Sequence, residues 1–230
     1  MTNRKRLFKL SSLWLLVMFL VGSGLVLLAL TQSHSVSRMG ETAMRKMTVE
    51  SVQRVTEASK GKTAPFNYAK TSQLTPLTVG GYEIRELTGH SGYDGAVGQL
   101  RVPAVGVNLP IGIGVSNAVM VRGAGTLKAD QRMGQGNYAL AGHYMTSKQL
   151  LFSPLKQVNQ GDSVYLSNAS QVYRYRVTRV RVVDRHKVDV IDDVPGQKLV
   201  TLVTCASAKR SEPNRLVVQG QLVSVKRVAT

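Results

Sequence analysis

Cys205 is the single cysteine of this 230-residue chain, and it closes the strand-like run Leu199-Val200-Thr201-Leu202-Val203-Thr204. Beyond it lies the polar stretch Ala206 to Asn214. A thiol attacks as its thiolate and needs a partner to move protons. Of the four histidines, His34 follows an apolar run, His90 sits among turn residues, and His186 lies in the basic loop Arg185-His186-Lys187. His143 follows the short run Tyr138-Ala139-Leu140-Ala141 and a glycine, which repeats the placement of Cys205. Arg215 opens the run Leu216-Val217-Val218. A thiol, an acid–base group and a fixed cation at three strand ends suit covalent attack on an acyl group. The competing reading makes Cys205 a small buried hydrophobe and His143 a structural histidine. Arg174, Arg176, Arg179 and Arg181 read as solvated strand faces.

The elements that must position these groups begin at Gly98, where short β-like runs alternate with turn signals. Gln99 to Val107 is interrupted by Pro103, and Asn137 to Ala141 is short. Ser163 to Leu166 and Gln171 to Val183 flank the turn Ser167-Asn168-Ala169-Ser170, and the second run loses its alternation after Thr178. Leu199 to Val203 and Leu216 to Val225 complete the set, and Lys148 to Val158 is the one predicted helix of this half. Many short strands with few helices imply an all-β sandwich or closed barrel. Upstream, 76–97 is dense in turn residues and reads as a connecting stretch with one short helix or strand at most. Residues 31–75 read as a stalk in which Met44, Met47, Ser51, Val52 and Val55 recur at helical spacing.

Leu10 to Leu30 run 21 residues without a charge, after Arg4, Lys5, Arg6 and Lys9. About 20 apolar residues cross a bilayer as a helix, and leading cations keep the N-terminus cytoplasmic. The expected layout is a basic segment over 1–9, a transmembrane anchor over 10–30 and an extracellular remainder. A cleaved signal peptide would have a shorter apolar core and small residues at its end, whereas this run leads into Leu30-Thr31-Gln32. The chain carries 30 lysines and arginines against 13 acids, a net charge of +17. All the acids follow the run, so the part beyond it holds 26 cations against 13 anions, or +13. An external cationic domain suits an anionic surface, and with no RNA-binding motif and only 6% aromatic residues nucleic acid is not expected. One cysteine forbids an intramolecular disulfide and a zinc ribbon.

The string Thr201-Leu202-Val203-Thr204-Cys205 resembles the TLxTC signature of sortases, and its surroundings are similar to class A sortases. The matching segments are Leu109-Pro110-Ile111, Gly123-Ala124-Gly125-Thr126, Gly136-Asn137-Tyr138-Ala139-Leu140-Ala141-Gly142-His143, Leu151-Phe152-Ser153-Pro154-Leu155 and Arg215-Leu216-Val217-Val218. The likeness runs from about Gly98 to Val225 in the family's order. It implies a closed eight-stranded β-barrel with short helices, as a catalytic domain over 76–230 with its core at about 98–225. It also implies a membrane-anchored cysteine transpeptidase that cuts LPXTG signals of surface proteins between Thr and Gly. The acyl group then passes through a thioester to an amine of the cell-wall precursor lipid II.

On that resemblance Cys205 is the nucleophile, His143 the general acid and base, and Arg215 the substrate-positioning cation. Ala141, Val188, Val190, Ile191, Val203 and Thr204 are the candidates for binding the signal, with barrel core as the competing role. Some class A members bind calcium through acids in the loop before the histidine strand. Here that loop reads Lys128-Ala129-Asp130-Gln131-Arg132-Met133-Gly134-Gln135, with one acid and two cations, while Asp192 and Asp193 stand in the other loop. A hard cation wants several oxygen ligands, so neither calcium nor any other cofactor is expected. The alternatives left open are a sortase of another class, a hydrolase using water, and a non-catalytic anchored module that binds anionic wall polymer.

Overall fold

A computed structural model of the chain describes residues 2–58, 74, 76–90, 92–147, 149–168, 170–209 and 211–228. Eight strands form a closed barrel: β1 (Gly98–Val102), β2 (Val107–Gly112), β3 (Ala124–Thr126), β4 (Asn137–Ala141), β5 (Ser163–Ser167), β6 (Gln171–Asp184), β7 (Leu199–Cys205) and β8 (Asn214–Arg227). Around the barrel the order is β1-β2-β3-β4-β7-β8-β6-β5. The β2–β3 and β4–β7 pairs are parallel and the others antiparallel. The predicted all-β barrel is therefore the fold. Closure removes exposed sheet edges, which suits strands as short as three to seven residues.

Alternate positions fill the interior: Leu100 and Val102, Leu140, Val164 and Leu166, Val200 and Leu202, and Val218 are all buried there. Strand β7 is buried on both faces from Leu199 to Thr204, because the chain between β6 and β7 lies over its outer side. A second buried cluster on that outer side joins Ala139, Ala141, Val203 and Val217 to Val190 of the crossing chain. The short run β3 was not anticipated; its three residues carry no periodicity of their own.

Two departures from the sequence expectations concern helices. Of the predicted helix over Lys148 to Val158, residue 148 lies outside the described residues and 149–158 form only a 3₁₀ turn over Ser153–Gln157. Pro154 supplies no N–H at its start, and Leu151 sits at a left-handed φ of 51° that an α-helix does not admit. The stretch 76–97, by contrast, contains a full helix, α3 (Pro76–Leu87), and a four-residue α4 (Asn117–Met120) precedes β3. Helix α2 (Val49–Ala58) buries Val52 and Val55, the pair noted for helical spacing. Part of the expected stalk, 59–73, lies outside the described residues.

Helix α1 runs Thr2–Arg45 and includes the 10–30 segment. Among the described residues no helix is long and apolar enough to cross a membrane. Within that segment the described side chains cover 14–24 and 26–27, a stretch shorter than the roughly 20 residues a span requires. The far end of α1 packs on the body. Val36, Met39 and Ala43 are buried at helical spacing. Val36 and Met39 join Val79 of α3 with Val121, Met145 and Leu151 of the barrel loops in one cluster. Ser35 donates to Glu83 of α3 at 2.8 Å. Arg122, 1% exposed, pairs with Glu86 of α3 and stacks 4.8 Å from the centre of the Tyr93 ring.

Gly40 is what lets α1 come this close. A Cβ there would lie 2.7 Å from the Arg122 carbonyl oxygen. Glycine to alanine inside a helix normally stabilises by about 0.5–1 kcal/mol, whereas forced contacts cost about 1–3 kcal/mol. Gly40→Ala is expected to lower the melting temperature of the full chain. A rise, measured by thermal unfolding, would mean that α1 is not seated against Arg122.

Candidate active site

Pairing of three neighbouring strands brings the three candidate residues together. In the antiparallel β7–β8 pair, Cys205 lies directly opposite Arg215, a relation that holds Cα atoms about 4.5–5.5 Å apart. In the parallel β4–β7 pair, Ala141 is in register with Val203. The Gly142 N–H continues the ladder by donating to the Val203 carbonyl at 3.2 Å. His143 is thus two positions beyond Ala141, as Cys205 is two beyond Val203, on strands about 4.8 Å apart.

Period-2 alternation also puts them on one face. Ala139 and Ala141, Val203, and Val217 face the outer cluster while Leu140, Leu202 and Val218 face the barrel interior. His143, Cys205 and Arg215 continue the outward set. The result is an apolar floor ending in a row of a histidine, a thiol and a guanidinium.

The His143 segment is held from behind. The Phe152 N–H donates to the His143 carbonyl at 3.0 Å, and the Met145 N–H donates to Ser153 Oγ at 2.7 Å. A Cβ on Gly142 would fall 2.4 Å from the Phe152 ring, so glycine permits the segment to lie flat on that ring. His143 is 9% exposed, and its Nε2 is buried without a partner. Burial holds the imidazole down to about 4. Burial likewise pushes the Cys205 thiol up; the Arg215 guanidinium opposes this and Glu212 adds to it. At neutral pH the dominant form has a neutral thiol and a neutral imidazole. Arg215 Nη1 donates to the Glu212 carbonyl at 2.7 Å and the Asn214 carbonyl at 3.1 Å, which holds the guanidinium, while strand pairing fixes its root opposite Cys205.

The other candidates separate by position. Ala141, Val190 and Val203 are buried in the outer cluster and Ile191 packs against it half-buried. Val188 stands apart, 59% exposed. Thr204 alternates to the other face of β7, where its hydroxyl is buried without a partner. Val115, Met120, Leu127 and Val217 complete the cluster. Val217 is legible as the next outward residue after Arg215; Val115 and Leu127 come from loops and Met120 from the short helix α4, and none carries a local signal.

A buried polar chain holds the wall against the floor. Gln219 Nε2 donates to Thr201 Oγ1 at 3.2 Å, and Thr201 Oγ1 donates to Asn137 Oδ1 at 2.7 Å. Asn137 Nδ2 then donates to the carbonyls of Val190 and Asp192 at 3.1 and 3.0 Å. These satisfy the turn Val188–Ile191 where it lies against β4. Lys128 Nζ lies 2.6 Å from Asp193 Oδ1. That contact and the Asn137 N–H hold the Asp193 carboxyl below the usual carboxylate range.

Comparison with known proteins gives one family, described as a sortase domain, which matches residues 100–223. The chain is 33% identical over 230 residues to sortase A of Streptococcus agalactiae, covering 96% of this chain and 90% of that one. It is 40% identical over 129 residues to sortase A of Listeria monocytogenes, covering 56% of this chain and 57% of that one. The crystal structure of the Listeria monocytogenes protein matches with a TM-score of 0.57 at 37% identity, over 59% of this chain and 92% of that chain. Sortase C-3 of Streptococcus pneumoniae matches with a TM-score of 0.59 at 18% identity, over 84% of this chain and 92% of that chain, a likeness of fold alone.

The depressed His143 value has a consequence for stability. Unfolding returns the imidazole to about 6.5, so between pH 6.5 and 4 the unfolded chain binds the extra proton. Stability from this residue is full above pH 6.5, amounts to about 3 kcal/mol there, and is lost as pH falls toward 4. Denaturant unfolding at pH 7 and pH 5 should show that loss in the native chain and a smaller one in His143→Gln. Equal losses would place the charge-sensitive group elsewhere.

Proposed function

The chain belongs to the sortase family of cysteine transpeptidases, and on that premise we propose that it acts as a class A enzyme on LPXTG-type sorting signals. The observation that carries the reading is the alignment of His143, Cys205 and Arg215 at one end and on one face of β4, β7 and β8. Cys205 attacks the threonine carbonyl of the signal and the carbon–nitrogen bond to glycine breaks. His143 gives its proton to the leaving amine, and a thioester remains on Cys205. An amine of lipid II, or of the peptidoglycan cross-bridge, then attacks that thioester. His143 takes the amine's proton, and the thiolate leaves as the new amide forms. Arg215 donates hydrogen bonds to the substrate backbone or to the developing oxyanion, a role whose loss costs about 2.7–4 kcal/mol. Since neutral thiol and neutral imidazole dominate at rest, the reactive ion pair is a minor form and turnover is slow.

The leucine and proline of the signal lie on the apolar floor of Ala141 and Val203, against Val190 and Ile191. The enzyme sits in the cell membrane, anchored by 10–30, with its N-terminus cytoplasmic and its catalytic domain outside. Ten described apolar side chains between Trp14 and Leu27 are 45–71% exposed, a belt that water solvates poorly and a bilayer covers. Val36 is buried on the body six residues beyond the run, so the barrel stands within about 10 Å of the membrane boundary along the helix.

Calcium has no part in the proposed reaction. Lys128 neutralises Asp193 where the two loops meet, which makes that carboxylate a poor ligand for a second cation.

Incubation of the full chain with an LPXTG peptide and triglycine should yield a ligated product and, by mass spectrometry, a thioester on Cys205. Cys205→Ala and His143→Ala should each abolish the product; retained ligation in Cys205→Ala would falsify the mechanism. Release of free acid in place of ligated product would instead identify a hydrolase. Turnover in calcium and in chelator should agree, and strong activation by calcium would overturn the account of Lys128 and Asp193.

A further inference from the structure

Strand β6 changes its inward face part-way along. Tyr173, Tyr175 and Val177 point into the barrel, but beyond them the inward residue is Val180. The register slips by one between Val177 and Arg179, which pair with Gly220 and Gln219. Thr178 is the extra residue of a β-bulge, and its hydroxyl donates to the Gln219 carbonyl at 3.3 Å. Both ends of the hydrogen-bonding capacity of Val177 are taken by the turn at 161–162, each at 2.8 Å. A one-residue slip reverses every later side chain. Without it Arg179 and Arg181 would aim into the apolar barrel; with it they share the outer face with Val183 and Arg215.

The register gives their place relative to the reactive row. Val183 lies opposite Arg215, and Arg181 opposite Val217, so Arg181 and Arg215 are diagonal neighbours about 7–8 Å apart. Arg181 is half-buried, and its Nε is buried without an acceptor. A buried, unpaired guanidinium N–H is costly unless an acceptor arrives. Carboxylates of the neighbouring strand ends and loops are engaged elsewhere: Asp184 with His186, Asp189 with Lys187, Asp193 with Lys128, and Glu212 with Ser207 and the Asn214 N–H. Arg185 and Lys187 lie exposed beyond Arg181, Lys187 paired with Asp189 at 3.1 Å.

We propose that Arg179 and Arg181, turned outward by the bulge at Thr178, form a binding site for a phosphate-class anion carried by the amine acceptor. Guanidinium forks match phosphate oxygens, and such charge-assisted bonds are about twice as strong as neutral ones. The site lies on β6 beside Val183 and Val217, where the apolar cluster that begins on β4 ends. The inference rests on the proposed reaction, since it assigns the second substrate of the same centre.

The test uses the full chain in neutral detergent with one LPXTG peptide and two acceptors, Gly-Gly-Ser and Gly-Gly-phosphoserine. The phosphoserine carries about −1.5 to −2 charges at pH 7. The native chain is expected to show a lower KM for the phosphorylated acceptor. Arg181→Gln should raise that KM about tenfold, the loss of one charged hydrogen bond, and Arg179→Gln/Arg181→Gln by more. The KM for Gly-Gly-Ser, kcat with either acceptor and the rate of thioester formation should be unchanged, and Arg181→Lys should restore part of the loss. Equal KM values in the native chain, or equal rises for both acceptors in Arg181→Gln, overturn the site. If the variants weaken only binding to phosphatidylglycerol vesicles, the anion is a lipid headgroup and the assignment to the acceptor is overturned. Absence of any thioester in the native chain is a failure of the underlying reaction, separate from these outcomes.

Discussion

The lateral register of β4, β7 and β8 is the constraint on which the molecule depends. A parallel pair on one side of β7 and an antiparallel pair on the other bring the ends of two strands and the start of a third to a single rim. No loop has to search for the geometry, because backbone ladders set it before any side chain is chosen. Closure of the barrel makes the register hard to change. A slip of one residue in β7 would send Val200 and Leu202 out of the interior and turn Cys205 away from Arg215.

Burial that stabilises the barrel also sets the electrostatics at its rim. The same apolar surroundings that hold β7 on both faces lower the basicity of His143 and raise the thiol of Cys205. Both shifts favour uncharged forms, so the resting site is stable and weakly reactive. Charge is supplied from the edge by Arg215, whose guanidinium is held by two backbone carbonyls. The polar chain through Gln219, Thr201 and Asn137 applies the same economy to the crossing segment: one buried amide satisfies two carbonyls that would otherwise be stranded.

Much of this could be read along the chain. Cys205, His143 and Arg215 each stood at a strand end beside a polar or glycine-containing stretch, and Val217 followed from alternation. The broken pattern after Thr178 was visible too, although its direction was not. Val115, Met120 and Leu127 were not legible as part of the site, since each lies in a different local setting and meets the others only through the fold. The predicted helix over 148–158 failed on one left-handed residue, Leu151, and on Pro154. Helix α3 was hidden by its glycines, which weaken local propensity, and it is held by packing of Val79 and by the Glu86–Arg122 pair.

By itself, the sequence determined the strand periodicity, the types of the reactive residues, the charge and the long apolar run, because each is written within a few consecutive positions. Tertiary structure alone decided which face of β7 meets the crossing chain, that α1 rests on the body through Gly40, and that the arginines of β6 point outward beyond Thr178. Those outcomes depend on pairing between residues about 40 to 80 positions apart. Their free energy comes from excluding water between segments that carry no record of one another.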